Sequence, residues 1–313
     1  MPDRLLPHLT RASAALTREV AVVNEHGEAS TLSIPAERAL TVYVDKRELV
    51  TLMTLGAQPE LLVLGYLRNQ RLVRSVEEVE SITVDWDVGA AAVKTREGIA
   101  NVEERTAKRV VTTGCGQGSV FGDLMDEVDQ IALPPDARLT QAQLYGIVNA
   151  IRLQESTYKS AGSVHGCALF RGEQMLIFVE DVGRHNAIDT IAGWMWMQDQ
   201  EQASTLGTDV SALPPEGALA PRGVSPAFGM GSADKVFYTT GRLTSEMVIK
   251  SAQMGVPIVV SRSGITQMGH AVAERVGLCA IGRATGKHFY CYSAPQRLVL
   301  QPELAGPKLR AAV

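Results

Sequence analysis

A single thiol lies in a glycine-rich stretch of the chain, Thr112–Ser119. Cys115 is surrounded there by Gly114, Gly116 and Gly118. Glycine permits backbone conformations that other residues avoid, and it leaves no side chains around the sulfur. A structural cysteine packs well among ordinary apolar neighbours and does not need such surroundings. The stretch therefore fits either a reactive thiol that must meet a bulky partner or a tight structural turn, and by itself it does not decide between them.

Three polar clusters occur where an apolar, strand-like run gives way to a helical pattern. They are Glu180–Asn186, Gly241–Glu246 and Ser261–Gly264. The carboxyl ends of parallel strands form ligand crevices, and helix N-termini there offer unpaired N–H groups and a positive dipole end. Arg184, Arg242 and Arg262 can each bind a phosphate bidentately. The pattern predicts an anionic, phosphate-bearing ligand; the alternative is ordinary helix caps with surface arginines.

Other motifs are excluded or assigned to the core. The run Gly114–Ser119 lacks the third glycine of a dinucleotide fingerprint, and no strand follows its helix. Ser163–Cys167 lacks the glutamate of a zinc deaminase, and the chain has no Cys-x-x-Cys, so no metal site is expected. Cys167, Cys279 and Cys291 lie in apolar, strand-like runs and are predicted to pack in the core.

Alternating strands and helices must position these clusters. From Val236 onward the pattern is strand, helix, strand, helix, strand, which indicates an α/β fold with crossover helices. The preceding part contains a hairpin over 39–53 and a helix that begins at Pro59, with further short strands. We therefore predict the following divisions: a loosely structured leader (1–36), a small β-rich domain with one helix (37–108), an α/β domain with a mixed sheet (109–300) that carries a mobile insertion (198–232), and a tail (301–313).

The composition of the chain argues against several classes of protein. The 313 residues are 45% apolar and carry a formal net charge of −4, which gives no argument for a nucleic-acid-coating protein. The four cysteines have no paired spacing, so neither a disulfide framework nor a zinc site is indicated. The chain shows no apolar signal sequence and no apolar run that could span a bilayer. A cytoplasmic location with reduced thiols is expected.

Several stretches resemble a known family. They are Leu40–Met53, Glu180–Asp189, Gly241–Met247 and Gly255–Ser263. They are similar to the signature stretches of the FdhD family, the sulfurtransferases that act as accessory proteins of formate dehydrogenase. The resemblance runs from about Leu40 to Leu298 and is interrupted by the insertion.

The resemblance implies a specific activity. Family members take sulfur from a cysteine desulfurase as a cysteine persulfide and pass it to the molybdenum or tungsten of a bis-molybdopterin guanine dinucleotide cofactor. The sulfurated cofactor is then inserted into formate dehydrogenase. The resemblance also implies a cytidine deaminase-like larger domain without the zinc site, and a homodimer. No nucleic acid and no membrane are expected as partners.

The resemblance also implies site residues. Cys115 matches the first cysteine of the family's Cys-Gly-x-Cys-Gly loop, the one that carries the persulfide, whereas Gly118 stands in place of the second. The expected cofactor-binding residues are Arg184, His185, Arg242, Ile281, Gly282, Arg283, Ala284, Thr285 and Gly286. With one thiol in the loop, sulfur must leave by direct attack on the metal or with an external thiol. The competing hypotheses are a non-covalent cofactor chaperone and a redox-sensing thiol protein.

Overall fold

The computed structural model describes residues 6–99, 128–205 and 234–306. The backbone divides into two compact units, and neither is one continuous segment. Unit 1 comprises Met1–Gln130, Ser156–Gly166 and Val179–Met230, and unit 2 comprises Ile131–Glu155, Cys167–Phe178 and Gly231–Val313. The predicted boundary at residue 108 lies outside the described residues, as do Cys115 and its loop.

Short strands and six helices make up the described part of the chain. The strands are β1 (His8–Leu9), β2 (Thr17–Val23), β3 (Ala29–Pro35), β4 (Arg38–Val44), β5 (Arg47–Thr54), β6 (Val79–Asp85), β7 (Ala90–Thr95), β8 (Leu139–Thr140), β9 (His165–Arg171), β10 (Gln174–Asp181), β11 (Lys235–Thr239), β12 (Ile258–Ser261), β13 (Cys279–Thr285), β14 (His288–Cys291) and β15 (Leu298–Val299). The α-helices are α1 (Pro59–Asn69), α2 (Gln141–Leu153), α3 (Thr157–Ala161), α4 (Arg184–Thr205), α5 (Ser245–Gln253) and α6 (Gln267–Val276). None of these helices is both long and apolar enough to cross a membrane.

Unit 1 is built on a five-stranded sheet in the order β1-β6-β7-β4-β5. The predicted hairpin is confirmed as β4 and β5, which pair antiparallel. Asp45 and Lys46 form its turn with positive φ angles of 47° and 71°, a backbone that matches the twist of the flanking strands. The apolar residues of β4 and of α1 meet in one buried cluster beneath this sheet.

The expectation of a loosely structured leader is corrected for residues 17–35. Strands β2 and β3 pair antiparallel from Thr17↔Pro35 to Val23↔Ala29. From Val20 to Val23 the residues alternate between less and more exposed, which is the period of a strand with one covered face. The sequence signal was weak because Leu32 and Val23 remain exposed and no long apolar run marks the ribbon.

Helix α4 belongs to unit 1, although the sequence placed it in the α/β domain. It crosses α1 where both helices carry glycine. A Cβ on Gly65 would lie 1.7 Å from the carbonyl oxygen of Asp189, and one on Gly193 would lie 2.1 Å from that of Leu61. The two backbones touch because neither glycine has a side chain. The helix also extends to Thr205, so the first residues of the predicted insertion are helical, and 206–232 lie outside the described residues.

Unit 2 contains a mixed six-stranded sheet in the order β10-β9-β11-β12-β13-β14. Strands β11, β12 and β13 are parallel and are joined by α5 and α6, which confirms the predicted α/β fold. Strands β9 and β14 run antiparallel to their neighbours β11 and β13. Helix α2 begins with a capping box between Thr140 and Gln143, which is readable in the sequence as Thr-x-x-Gln, and its Leu144 and Ile147 cover one face of the sheet.

The contact between α1 and α4 leads to a stability prediction. Replacing Gly193 with alanine forces the two helices apart, and we expect a loss of at least about 2 kcal/mol in the free energy of unfolding. Urea titration followed by circular dichroism measures this loss. Gly146→Ala is the matched control, because the added Cβ would meet only the flexible end of the Glu173 side chain. The control should change stability by less than about 1 kcal/mol, with a gain favoured by helix propensity. Equal losses in both variants would contradict the backbone contact.

Candidate functional site

Three arginines lie at the carboxyl ends of the parallel strands of unit 2. We call this line of strand ends, with Arg242, Arg262 and Arg283, the arginine edge. Thr239 pairs with Ser261, and Val260 pairs with Ile281, so the three strands end nearly in line. Arg242 and Arg262 follow the ends of β11 and β12, and Arg283 lies in β13 two residues beyond Ile281. The carboxyl edge of this parallel array therefore carries one arginine per strand, as the sequence predicted for Arg242 and Arg262.

Two buried hydroxyls hold the turn after β11. The Thr239 Oγ1 accepts from the Gly241 amide at 3.0 Å and from the Cys167 thiol at 3.3 Å. The Ser261 Oγ donates to the Gly241 carbonyl at 2.7 Å and accepts from the Ser263 amide at 2.9 Å. Both hydroxyl residues are fully buried. A buried polar group that lost these partners would be costly, so the hydroxyls restrict the backbone of both turns.

Backbone bonds tie the turns to one another. The Arg262 amide donates to the Thr239 carbonyl, and the Leu243 amide donates to the Gly264 carbonyl. The Arg283 amide donates to the Ser263 carbonyl at 2.7 Å. This last bond requires glycine at position 282, because a Cβ there would lie 2.8 Å from the Ser263 carbonyl oxygen. The positions from which the arginine side chains start are thus set by the backbone.

The side chains of these three arginines are all exposed. Among the described residues, none of the three guanidinium groups makes a hydrogen bond or ion pair. Tyr238 lies on the neighbouring part of β11, where burial raises its pKa to about 12 although the positive charge of Arg262 opposes the shift. The phenol therefore stays neutral at neutral pH. The edge presents three positive charges that no carboxylate of the described residues neutralises by direct contact.

Arg283 occupies a backbone conformation that is unusual for arginine. Its φ of 51° lies in the left-handed region, at an irregularity in the pairing of β13 with β14. Such a conformation costs about 1–2 kcal/mol for a residue with a Cβ. Strain of this kind clusters at functional sites, where the surrounding structure maintains it. The conformation identifies Arg283 as the most distinctive of the three arginines.

The remaining residues of the stretch 281–286 have different surroundings. Ile281 and Ala284 are buried in the core cluster of unit 2. Thr285 and Gly286 lie at the hairpin between β13 and β14, where Gly286 has a φ of 57°. Arg283 is the charged, exposed residue of this stretch, and Gly282 admits the backbone that holds it.

In unit 1, the stretch that follows β10 is largely held by hydrogen bonds. The Glu180 carboxylate accepts from the amides of Thr157 and Tyr158 and so caps α3. The Asp181 carboxylate accepts from the Thr54 hydroxyl and from the amides of Leu55 and Gly183. Asn186 joins the same cluster, because its Nδ2 donates to Asp181 at 2.9 Å and to the Met53 carbonyl at 2.7 Å. Burial raises the pKa of Asp181, while these hydrogen bonds oppose the rise.

Arg184 differs from these neighbours. It is the first residue of α4 and only 7% exposed, and its guanidinium has no hydrogen bond or ion pair among the described residues. A buried cation is costly unless it is paired. The helix N-terminus adds a positive dipole end at the same point. The next residue, His185, is also buried. Arg184 is therefore suited to bind an anion within unit 1.

The strand-like run predicted around Cys291 is confirmed as β14, but its aromatic face was not predicted. His288 and Tyr290 pack edge to face with ring centroids 4.8 Å apart, and Tyr292 lies 6.4 Å beyond Tyr290. Tyr290 is 49% exposed. The Tyr292 ring lies against Gly282, beside Arg283. The alternation of aromatic residues from 288 to 292 was the available signal, since residues two apart share one face of a strand.

Cys115 and Gly118 lie outside the described residues, so the structure does not test the loop. Within the ranges that it describes, no group of three or more histidine, cysteine, aspartate or glutamate side chains is placed to hold a metal ion. The cysteines predicted to be structural are described. Cys167 and Cys279 are fully buried, and Cys291 is partly buried.

The five-stranded and six-stranded sheets define an α/β protein, and its exposed arginines lie at the carboxyl ends of parallel strands in unit 2. The model of the FdhD/NarQ family matches residues 35–208 and 223–299, and the chain belongs to this family. The membership confirms the resemblance predicted from the sequence.

Relatives agree with this assignment, and a solved structure agrees with the fold. A Bacillus subtilis protein named sulfur carrier protein FdhD is 28% identical over 282 residues, covering 88% of this chain and 94% of the relative. A protein of the same name from Halalkalibacterium halodurans is 25% identical over 93% of this chain and 97% of its own length. A crystal structure from Desulfotalea psychrophila, described as that of a formate dehydrogenase accessory protein, has a TM-score of 0.65 at 22% identity. It covers 90% of this chain and 98% of its own, and at this identity it supports the fold alone.

The backbone of Arg283 leads to a second prediction. Arg283→Gly should raise the free energy of unfolding by about 1 kcal/mol, because glycine adopts a positive φ without steric cost. Thermal and urea unfolding measure the change. Arg242→Gly is the matched control, since Arg242 has no positive φ and glycine there only adds freedom to the unfolded chain. The control should leave stability unchanged or lower it. A loss at position 283 equal to that at 242 would show that Arg283 is not strained.

Proposed function

We propose that this protein is a sulfur carrier that serves formate dehydrogenase. In this proposal it accepts sulfur from a cysteine desulfurase as a persulfide on Cys115. It passes the sulfur to the molybdenum or tungsten of a bis-molybdopterin guanine dinucleotide cofactor before the cofactor enters formate dehydrogenase. Family membership and the relatives named sulfur carrier protein FdhD support the general role. The protein acts in this proposal as a cytoplasmic homodimer.

The arginine edge of unit 2 is the observation that carries the cofactor part of the proposal. Each guanine nucleotide arm of the cofactor bears phosphates. Arg242, Arg262 and Arg283 present, from adjacent strands, guanidinium groups that have no partner among the described residues. Bidentate pairing of arginine with phosphate is both strong and directional. The exposed ring of Tyr290 lies on the strand next to Arg283 and offers a planar surface to a base.

Arg184 and His185 are proposed as further cofactor contacts, within unit 1. The physical support is the buried guanidinium of Arg184, which lacks an anionic partner among the described residues. Glu180, Asp181 and Asn186 are excluded from direct cofactor roles in this proposal. Their polar atoms already serve the α3 cap and the Asp181 cluster.

The thiol chemistry follows from the residues around Cys115. Its thiolate attacks the outer sulfur of the donor persulfide, the donor leaves as a thiol, and the new sulfur–sulfur bond resides on Cys115. The flanking glycines leave room for both a protein donor and a bulky acceptor. Because Gly118 stands in place of a second loop cysteine, the loop cannot release sulfur by forming a disulfide. Sulfur leaves instead by direct transfer to the metal or with the help of an external thiol.

A non-covalent cofactor chaperone is the second candidate. The arginine edge would serve it equally well, and the missing second cysteine favours it over a two-thiol carrier. The two candidates differ in whether Cys115 forms a covalent intermediate. A redox-sensing thiol protein is less well supported, because that function gives no role to the exposed arginines of unit 2.

Removal of a single arginine should weaken nucleotide binding. Guanosine diphosphate is the probe, because it carries the base and phosphates of one cofactor arm. Arg262→Ala and Arg283→Ala should each raise its dissociation constant by at least about tenfold, since a charge-assisted hydrogen bond contributes about 1.5–3 kcal/mol. Calorimetry at two salt concentrations measures the change. Arg152→Ala is the control, an exposed arginine in the same unit that already bonds Asn149. Unchanged binding in the site variants would contradict the arginine edge as the nucleotide site.

Replacement of Cys115 distinguishes the covalent sulfur carrier from the non-covalent cofactor chaperone. After treatment with desulfurase and cysteine, mass spectrometry of the wild-type chain should show added sulfur on Cys115. Cys115→Ala should retain guanosine diphosphate binding but fail to restore formate dehydrogenase activity in a deletion strain. Restored activity would eliminate the covalent carrier and support the chaperone. Added sulfur found on Cys167, Cys279 or Cys291 alone would place the carrier elsewhere.

A further inference from the structure

Two cysteines that the proposed sulfur transfer does not use lie side by side in unit 2. The Sγ atoms of Cys279 and Cys291 are 3.8 Å apart. Ile281 pairs directly with Cys291, so Cys279, two residues earlier on β13, is the diagonal neighbour of Cys291 on the same face of the sheet. Both were predicted to pack in the core, because a separation of twelve residues along the chain does not reveal this contact.

The surroundings make the two thiols unequal. Cys279 is fully buried in the core cluster, whereas Cys291 is partly exposed on the edge strand β14. A hydrogen bond from the Cys279 thiol lowers the pKa of Cys291, and the same bond together with burial raises the pKa of Cys279. Cys291 is therefore the thiol that a small reagent can reach and the one that ionises first.

The local backbone allows the sulfur atoms to approach each other. A disulfide bond is about 2.05 Å long, so the two atoms must move closer by somewhat less than 2 Å. Cys291 is the last residue of β14, and the next part of the chain is held by the side chain of Ser293, whose Oγ donates to Leu278 and accepts from the Ala280 amide. Regular strand pairing ends at this point. Rotation about the cysteine side chains and a small shift of an edge strand supply the movement.

We propose that Cys279 and Cys291 form a thiol–disulfide exchange site for low-molecular-weight disulfides, which oxidise the pair to a disulfide across β13 and β14. This site is independent of the proposed sulfur transfer through Cys115. The pair lies on the same hairpin as Arg283 and next to Tyr292. Formation of the disulfide therefore changes the pairing of β14 with β13, the strand that carries Arg283.

The reaction proceeds in two balanced exchanges. The Cys291 thiolate attacks one sulfur of the small disulfide, expels a thiolate, and forms a mixed disulfide. That thiolate takes up the proton of Cys279, and the Cys279 sulfur attacks the Cys291 sulfur and expels the second small thiolate, which is protonated from water. The protein loses two protons and two electrons, and the small disulfide is reduced to two thiols.

The test uses the full-length chain with Cys115→Ser, so that the loop thiol does not contribute. The protein is equilibrated with oxidised and reduced glutathione at several ratios, the free thiols are alkylated, and the products are analysed as intact masses and as peptides. We expect Cys279 and Cys291 to lose their thiols together, without bound glutathione, and to appear as one cross-linked pair of peptides. Cys167 is the internal control, since it is equally buried but bonds Thr239 and not a thiol.

Single substitutions in the same background test the order of events. With Cys279→Ser, one glutathione should remain on Cys291, because the resolving thiol is absent. With Cys291→Ser, Cys279 should stay reduced, because its sulfur is buried. If either serine variant fails to fold, the cross-linked peptides of the parent and the corresponding alanine variant give the same answer. Retention of both thiols at every ratio, or a glutathione adduct on Cys291 that Cys279 never displaces, would overturn the proposal.

Discussion

The site in unit 2 depends on two buried hydroxyl groups at the ends of neighbouring parallel strands. Thr239 and Ser261 bond the backbone of the turns that follow them, and those turns bond to each other and to β13. The arginine side chains contribute nothing to this framework, since they have no partner among the described residues. The hydrogen bonds of the turns therefore set the positions of the three positively charged residues along this edge. Hydroxyl groups suit this task because one oxygen can donate and accept at once.

Local patterns in the sequence predicted most elements of unit 2, and long-range contacts account for what was missed. The α2 capping box and the helices after β11 and β12 carry their signals within a few residues, and the structure has them where expected. The place of α4 in unit 1 rests on contact between Gly65 and Gly193, which no local pattern reveals. The left-handed backbone of Arg283 is likewise unmarked by any local pattern, whereas the aromatic face of β14 carried a local signal in the alternation from 288 to 292.

The stretch Glu180–Asn186 shows how one motif serves two purposes. Its resemblance to the family suggested a functional stretch, and the structure assigns most of its polar atoms to folding. Glu180 caps a helix, and Asp181 with Asn186 fixes the end of β5. Arg184 lies among these residues without such a partner in the described part of the chain, so it stands out only once the hydrogen bonds are known. Sequence alone cannot separate the two roles, because both need polar residues at the same turn.

The turns maintain the fold and the arginine side chains face solvent, and this separation of roles has an evolutionary consequence. Since the turns after β11 and β12 are held by buried hydroxyls and backbone bonds, exchange of Arg242 or Arg262 leaves the fold intact. Position 282 has no such freedom, because any side chain there collides with the Ser263 carbonyl. The anion that we propose for this edge can therefore differ among descendants through surface substitutions, while the glycine and the two hydroxyl positions stay under constraint from folding.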